Sequence, residues 1–207
     1  MADANRQKPV VPRRIKAQET RRRLFKAAYS LLKERDYQDI TIRDIVTRAQ
    51  VSIGTFYVYY PSKLDVFYET YQIADDYFEN EVAPLLNEGT TEEKLLKFFS
   101  YYAIYCSRGS GLKMAKLLYQ PDNRCFSRPR DYGLLRVLIR VLSSGFPESG
   151  TRGEDESPEE MAEFFMIASR GLVYNWCTMD GGYNLEEAME RYVRRLMRAF
   201  GFADGAV

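Results

Sequence analysis

The chain has 207 residues, enough for one large domain or for a small domain joined to a larger one, and either can bury a hydrophobic core. It contains no histidine, so the commonest general base, the usual Ser–His and Cys–His nucleophile pairs and most transition-metal sites are missing. Its three cysteines, Cys106, Cys125 and Cys177, form no Cys-x-x-Cys pair and indicate neither a disulfide framework nor a zinc site. Composition therefore argues against a hydrolase or a metalloenzyme, and we expect neither a metal nor a cofactor.

The net charge of +1 hides an asymmetry between two parts of the chain. Residues 1–63 hold fourteen Lys and Arg against six Asp and Glu, whereas the rest holds sixteen against twenty-three. Such a division indicates a basic module that binds a polyanion, joined to an acidic module with another task. The N-terminus lacks the apolar segment of a secretory signal, and the longest uncharged run is too polar and short to span a bilayer. We therefore expect a soluble, cytoplasmic protein without membrane contact.

Apolar residues recur at spacings of three and four along most of the chain, which predicts an all-α fold of about nine helices. Residues 1–15 carry two prolines among basic and polar residues, so we expect a flexible basic arm. Thr41 can accept a backbone N–H while Asp44 returns the bond, which marks the start of a short second helix. The first three helices are predicted over residues 16–35, 41–48 and 52–59, with a turn at residues 49–51.

The remainder of the chain shows further helix starts of the same kind. Ser62 and Asp65 are spaced to cap a fourth, longer helix, and Ser157 with Pro158 and Glu160 is a strong helix start. Residues 143–156 are dense in Gly, Ser, Pro and acidic residues, so we expect a mobile loop there. The helices predicted beyond the third cover residues 62–82, 90 to about 105, 111–119, 129–142, 157–179 and 184–200.

The second and third predicted helices, with the short turn between them, form a helix-turn-helix, the unit that places its second helix in the major groove of DNA. The third helix carries no charge, yet it offers several hydroxyl groups, and Gly54 would let its backbone approach the duplex closely. Thr41 and Lys63 lie at helix starts, where phosphates can be held. The hydroxyl donors are Ser52, Thr55, Tyr57, Tyr59 and Tyr60. The alternative is that the tyrosines only pack a small core, but three tyrosines within four residues cannot all face inward.

The same stretch resembles the TetR/AcrR (tetracycline-repressor) family. The resemblance lies in Ile42-Arg43-Asp44-Ile45 to Ala49, in Val51-Ser52-Ile53-Gly54-Thr55-Phe56-Tyr57-Val58-Tyr59-Tyr60 and in Ser62-Lys63-Leu64-Asp65, and it spans about residues 21–67. It implies that Ile53 reads bases and that operator DNA is contacted by Thr41, Arg43, Ser52, Thr55, Tyr57, Tyr59 and Lys63. Most members have Gly where this chain has Gln50, so the turn is predicted to hold a non-glycine residue at positive φ, at a cost of about 1 kcal/mol.

Beyond residue 67 the resemblance is one of layout. It implies three parts: the arm, a helix-turn-helix DNA-binding domain over residues 16–66, and an effector-binding and dimerisation domain over residues 67–207. The last two helices carry continuous apolar faces that two chains could join as a four-helix bundle, and a palindromic operator is read by two copies of the third helix. The predicted dimer contacts are Phe164, Phe165, Ala168, Leu172, Tyr192 and Leu196. The alternative is that these side chains belong to the core of one chain.

Aromatic residues of the second domain are suited to an apolar cavity with a few hydroxyls, which is typical of a small-molecule site. The predicted ligand-binding residues are Phe98, Phe99, Tyr102, Tyr105, Tyr132, Arg136, Tyr174, Asn175 and Trp176. One of Arg136, Arg140 and Arg170 could pair with an acidic ligand. Plain core packing and a solvated surface are the alternatives for the aromatic residues and the arginines respectively.

The sequence thus predicts a homodimeric, ligand-responsive repressor of transcription, not an enzyme, that a small apolar or aromatic effector releases from palindromic double-stranded operator DNA. One alternative is a redox-responsive regulator that uses Cys106 or Cys177 as its switch. A second alternative is an enzyme that acts on nucleic acid, but the lack of histidine and of clustered carboxylates argues against it.

Overall fold

The computed structural model describes residues 13–120, 123, 132–145 and 157–202. Within these residues it contains nine α-helices and no strand, which confirms the prediction of an all-α fold. The helices are α1 Arg13–Glu34, α2 Ile42–Ala49, α3 Ile53–Tyr59, α4 Glu69–Tyr77, α5 Thr91–Ile104, α6 Gly111–Leu118, α7 Gly133–Ser143, α8 Pro158–Thr178 and α9 Leu185–Ala199. None of the helices in the described ranges is long and apolar enough to cross a lipid bilayer.

The chain divides into two compact units at the junction between Phe67 and Tyr68, here called the N-terminal unit and the C-terminal unit. In the N-terminal unit, α1 packs against α2 and α2 packs against α3. The core of this unit is apolar and fully or almost fully buried: Leu24, Ala28, Leu31, Leu32, Ile40, Ile45, Val46, Phe56, Val66 and Phe67. Because α3 is only seven residues long and adds Phe56 to this core, its position depends on that one buried anchor and on its two ends.

Helix α1 begins three residues before the predicted start, at Arg13, so residues 13–15 are helical and not part of a flexible arm. In the sequence Pro12 directly precedes this start, and proline is common at helix beginnings because the first amide N–H groups of a helix have no intrahelical acceptor. The rest of the predicted arm, residues 1–12, lies outside the described residues.

The fourth predicted helix starts later than expected. Ser62 does pair with Asp65, through bonds of 2.8 Å from its backbone N and 2.6 Å from its hydroxyl to Oδ2. The residues that follow form turns, in which Phe67 N donates to Leu64 O at 2.9 Å, so the α-helical pattern begins only at Glu69. Beyond Tyr77 the path continues as a π-helical segment, Phe78–Val82, and a 3-10 turn, Ala83–Leu86. The predicted start at residue 62 is therefore wrong, whereas the predicted end near Val82 coincides with the end of the π-helical segment.

In the C-terminal unit, α5 lies against α7 and α9, and α8 lies against α6, α7 and α9. Aromatic residues dominate the middle of its core, where Phe99 stacks on Phe165 with ring centroids 5.8 Å apart. Helix α7 begins at Gly133, four residues after the predicted start, and residues 129–131 lie outside the described part of the chain. Of the predicted loop over residues 143–156, Ser143 belongs to α7 and residues 146–156 are outside the described part as well.

Candidate nucleic-acid interface and effector cavity

The start of α2 is fixed by the predicted capping box, which the structure confirms. Asp44 N donates to Thr41 Oγ1 at 3.1 Å, and Thr41 N donates to Asp44 Oδ2 at 2.8 Å. Hydrogen bonds from Thr41 lower the pKa of Asp44, and the charge of Arg35, 3.1 Å away, acts in the same direction. The Thr41 hydroxyl also donates to Asp44 Oδ2 at 2.7 Å, so this predicted phosphate contact is held at an exposed helix start.

The turn between α2 and α3 has the predicted left-handed residue: Gln50 has φ 53° and ψ 50°. Its backbone N–H returns to the carbonyls of Val46 and Thr47, which ends α2. Arg23 of α1 donates to the carbonyls of Ala49 and Gln50, the latter at 3.0 Å. The guanidinium of Arg23 therefore closes the turn, a role that sequence reasoning missed because nothing local links α1 to this turn.

Helix α3 starts at Ser52, whose Oγ accepts from Thr55 N at 3.1 Å and lies 2.8 Å from the Thr55 hydroxyl. One face of the helix is anchored by Phe56, while Tyr57 and Val58 are 54% and 77% exposed. Ile53 is exposed as well, and Tyr59 is half-buried. A Cβ on Gly54 would meet only Ser52 Oγ, at 3.8 Å, so the fold of the unit does not require glycine there. The space over Gly54 is open to a partner.

Two of the predicted DNA contacts, Tyr60 and Lys63, also make contacts within the N-terminal unit. Tyr60 is only 3% exposed, and its ring packs on Phe56 with centroids 5.6 Å apart, so the structure assigns it to the core and corrects its prediction as a DNA-facing residue. Lys63 Nζ donates to the carbonyls of Tyr37 and Ile40 at 2.8 and 2.7 Å and lies 4.0 Å from the centre of the Tyr37 ring. Burial lowers the pKa of Lys63. The ammonium thus ties the segment after α3 to the segment before α2, whereas Arg43 is exposed on α2.

The C-terminal unit contains a partly open cavity of about 70 Å³, enough for several water molecules. Its apolar wall consists of Ala74, Ala115, Leu118, Leu134 and Met166. The polar wall is rich in hydroxyl groups and includes one arginine: Thr70, Tyr71, Asp75, Tyr102, Tyr105, Cys106, Ser110, Tyr119, Tyr132 and Arg170. These residues come from α4, α5, α6, α7 and α8, from the residue after α6, from the residue before α7 and from the π-helical segment Tyr105–Ser110 that follows α5. Such π-helical segments are frequent at functional sites.

Hydrogen bonds order the polar wall. The hydroxyls of Tyr102 and Tyr119 bond to each other, and the Tyr105 hydroxyl donates to the carbonyl of Thr70 at 2.9 Å. Arg170 Nη2 donates to the Tyr132 hydroxyl. Burial by itself would lower the pKa of Arg170, but the nearby oxygens of the tyrosines raise it, so the guanidinium stays charged in this cavity.

Of the predicted ligand-binding residues, Tyr102, Tyr105 and Tyr132 line the cavity. The others do not line it. Phe98 and Phe99 are core residues, Tyr174 is exposed, and Arg136 pairs with Glu79 at 2.5 Å. Asn175 and Trp176 both bind Tyr183: Asn175 Oδ1 accepts from its hydroxyl at 3.1 Å, and Trp176 Nε1 donates to its carbonyl at 3.0 Å. Sequence reasoning missed the wall from α4 and the tyrosine at 119, because their spacing along the chain gives no sign that they converge.

The two described cysteines are poorly suited to redox chemistry. Burial raises the pKa of Cys106 to about 12 and that of Cys177 to about 11, and both side chains are almost fully buried. Since the thiolate is the reactive form, neither thiol is activated. Cys125 lies outside the described residues.

Helix α8 also carries an exposed apolar stripe, which we define as Phe164, Ile167 and Tyr174, with 47%, 60% and 49% of each residue exposed. Of the predicted dimer contacts, Phe164 belongs to the stripe, Tyr192 is exposed on α9, and Ala168, Leu172 and Leu196 are half-buried. Phe165 is fully buried in the core of its own chain, so its prediction as a dimer contact is corrected. Ile167 and Tyr174 were not among the predicted dimer contacts, since α8 is apolar on several faces and its periodicity alone does not show which face is exposed.

Comparison with known proteins adds to this geometry. The model of bacterial regulatory proteins of the tetR family matches residues 24–70, which contain the helix-turn-helix. Transcriptional regulator AcuR of Cereibacter sphaeroides is 26% identical over 163 residues, covering 72% of this chain and 73% of AcuR. HTH-type transcriptional regulator HbdR of Aromatoleum sp. strain CIB is 34% identical over 140 residues, covering 68% of this chain and 58% of HbdR.

Solved structures show the same architecture over nearly the whole chain. Thermus thermophilus FadR, a TetR-family transcriptional repressor in complex with lauroyl-CoA, superposes with a TM-score of 0.71 at 26% identity and covers 90% of this chain and 97% of its own. Bacillus subtilis FadR in complex with stearoyl-CoA has a TM-score of 0.65 at 18% identity, over 88% of this chain and 98% of its own. The chain belongs to the TetR family: it is a helix-turn-helix, ligand-responsive regulator of transcription.

Proposed function

We propose that the protein is a homodimeric repressor that binds a palindromic operator through α3 and is released by a small apolar or aromatic effector bound in the C-terminal cavity. The exposed, uncharged face of α3 carries the proposal. Ser52 fixes its start, Phe56 anchors its back, and Tyr57 extends outward from a unit that is basic overall. Side chains of this kind read base edges through hydroxyl and van der Waals contacts, while nearby cations such as Arg43 hold the phosphates.

Release of DNA is proposed to begin at α4. Thr70, Tyr71, Ala74 and Asp75 of this helix line the cavity, and the Tyr105 hydroxyl holds the first turn of α4 through the Thr70 carbonyl at 2.9 Å. Helix α4 is also the first helix after the N-terminal unit in the sequence. An effector that fills the cavity and breaks this hydrogen bond would shift α4, and would lower DNA affinity because it binds better to the shifted state. The lauroyl-CoA complex of the Thermus thermophilus relative supports an effector with an apolar body.

The second copy is proposed to cover the stripe of Phe164, Ile167 and Tyr174 on α8, together with Tyr192 on α9. Gly171 lies between the last two stripe residues in the sequence, and a Cβ built on it would meet no atom within 4 Å. A continuous apolar surface without a bulky residue in its middle suits close packing of a helix from a second chain.

The DNA-binding proposal is tested by the substitutions Tyr57→Ala and Tyr57→Phe, assayed by fluorescence anisotropy on DNA from directly upstream of the protein's own gene. We expect Tyr57→Ala to weaken binding about tenfold or more, as for the loss of a base-edge contact, without loss of the helical circular-dichroism signal. Tyr57→Phe removes the hydroxyl and keeps the ring, so it distinguishes the contribution of the hydroxyl to DNA affinity from that of the ring. The matched control is Leu85→Ala, which truncates an exposed apolar side chain of the C-terminal unit.

Wild-type affinity in the Tyr57→Ala variant would show that α3 does not read DNA in the proposed way. Arg43→Ala is a second measure of the same interface. If its guanidinium contacts phosphate, the slope of log affinity against log salt should become shallower by about one per protomer. An unchanged slope would remove Arg43 from the proposed interface.

A further inference from the structure

The cavity of the C-terminal unit contains a cation close to an apolar wall. Arg170 lies on the fourth turn of α8, and its guanidinium donates to the Tyr132 hydroxyl within the cavity lining. Met166, one turn earlier on the same helix, and Leu134 of α7 belong to the apolar wall. A ligand that fits both parts of the wall has an apolar body and a group that accepts hydrogen bonds from a guanidinium.

The chemistry of that accepting group can be narrowed further. Tyrosine hydroxyls are neutral acceptors, and a carboxylate is a stronger acceptor for a guanidinium because both groups are charged and planar. Tyr102 and Tyr119 line the same cavity, and their hydroxyls can donate as well as accept. Asp75 is also in the lining, but its Oδ1 accepts from Leu134 N at 3.2 Å, at the start of α7, where a negative charge is stabilised.

We propose that the effector is an organic monocarboxylate with a short aliphatic or aromatic body, and that its carboxylate binds the Arg170 guanidinium in place of the Tyr132 hydroxyl. This inference rests on the proposed function in one respect, the use of this cavity as the effector site. The proposal predicts different affinities for the free acid and for its amide or thioester, because both derivatives present a neutral carbonyl to Arg170. The free acid should therefore bind more tightly than either derivative of the same body.

The test is isothermal titration calorimetry of the full chain with a panel of carboxylates, from butanoate to dodecanoate, with benzoate and phenylacetate, each beside its primary amide and its CoA thioester. We expect at least one acid to bind about tenfold or more tightly than its amide, as for a hydrogen bond to a charged group. Arg170→Gln should abolish this preference, while Arg170→Lys should keep part of it. Arg136→Gln is the matched control, because Arg136 pairs with Glu79 and does not line the cavity.

Equal binding of acid and amide, or binding of a thioester with no acid of the panel bound, overturns the carboxylate proposal, and so does a panel in which nothing binds. An Arg136→Gln variant that loses the preference while Arg170→Gln keeps it overturns the assignment of the residue. Circular dichroism of each variant separates loss of the ligand from loss of the fold. An acid that binds through Arg170 but leaves DNA affinity unchanged contradicts the proposed function alone, whereas a thioester that binds and releases DNA contradicts this inference alone.

Discussion

Helices α3 and α8 both expose apolar and aromatic side chains, but the two helices are held in different ways. Helix α3 has a single buried anchor, Phe56, and its position is set by a cap at Ser52 and by the turn at Gln50. Helix α8 has 21 residues, and buried side chains along its length pack against three other helices. The exposed face of α3 therefore depends on local hydrogen bonds, whereas the exposed face of α8 depends on long-range packing.

The surroundings of the two exposed faces also differ, and they indicate different partners. Helix α3 has no charged residue, and it belongs to the basic part of the chain, so its exposed face suits a polyanion. Helix α8 lies in the acidic part, and the face next to the stripe contributes Met166 and Arg170 to the cavity. The same helix is thus proposed to face a second copy with one face and a small molecule with the neighbouring face, so the ligand would bind beside the dimer contact.

The largest effect is expected on the outward side of α8. Ile167→Glu places a charge in the middle of the stripe, and a buried charge without a partner should weaken dimerisation by about 100-fold or more. Analytical ultracentrifugation over a range of protein concentrations measures the dissociation constant. DNA affinity should fall with it, because a palindromic site is read by two copies.

The control for this experiment is Leu85→Glu, since Leu85 is exposed to a similar degree on the 3-10 turn of the same unit. Both variants should keep the helical circular-dichroism signal. A dimer of unchanged strength in Ile167→Glu, or equal weakening in Leu85→Glu, would show that the stripe is not the dimer contact.

A smaller effect is expected at Cys106, which lines the cavity that α8 helps to form. Burial raises the pKa of Cys106 to about 12, so the thiol stays protonated in the folded protein while the thiol of the unfolded chain ionises above about pH 8.5. The resulting stability is fully present below that pH and is lost as the pH rises toward 12. Urea unfolding between about pH 8 and 10.5 should therefore show a steeper loss of stability for the wild type than for Cys106→Ala, by at most about 1.4 kcal/mol per pH unit.

Burial raises the pKa values of Tyr102 and Tyr119 as well, so part of the pH dependence should remain in Cys106→Ala. Cys106→Ala is also expected to have a lower stability at neutral pH, which does not affect the comparison of slopes. Parallel slopes for the two proteins, or rapid alkylation of Cys106 at neutral pH, would contradict a buried, protonated thiol.

The contrast between α3 and α8 also explains what the sequence could predict. Helix caps act between residues three positions apart, so the pairs at Thr41 and Ser157 were predictable, and both form capping boxes. Thr90 and Glu93 form a third box of the same spacing. The left-handed Gln50 was predicted from the family resemblance, because most members have glycine at this position of the turn. The start of α4 was not predictable, because bonds between residues three apart replace the α-helical pattern before Glu69.

The residues that the sequence did not predict correctly depend on long-range geometry. Arg136 and Arg170 look alike in the sequence, since both lie on helices rich in apolar residues, and only the rotation of each helix decides that Arg170 lines the cavity. Phe164 and Phe165 are neighbours on α8, yet one is 47% exposed and the other is fully buried. Periodicity does not resolve such pairs on a helix that is apolar on several faces.

The smallest effect is expected at the turn that holds α3. Gln50 has a φ of 53°, a region that costs a residue with a Cβ about 1–2 kcal/mol and that glycine adopts freely, although glycine also loses more entropy on folding. Gln50→Gly should therefore stabilise the protein by roughly 0.5–1 kcal/mol in urea unfolding. Thr47→Gly, within α2, should have the opposite sign, because glycine is unfavourable inside a helix. If Gln50→Gly destabilises the protein as Thr47→Gly does, the amide side chain of Gln50 contributes more to the turn than the strain removes, and α3 is held by more than its backbone geometry.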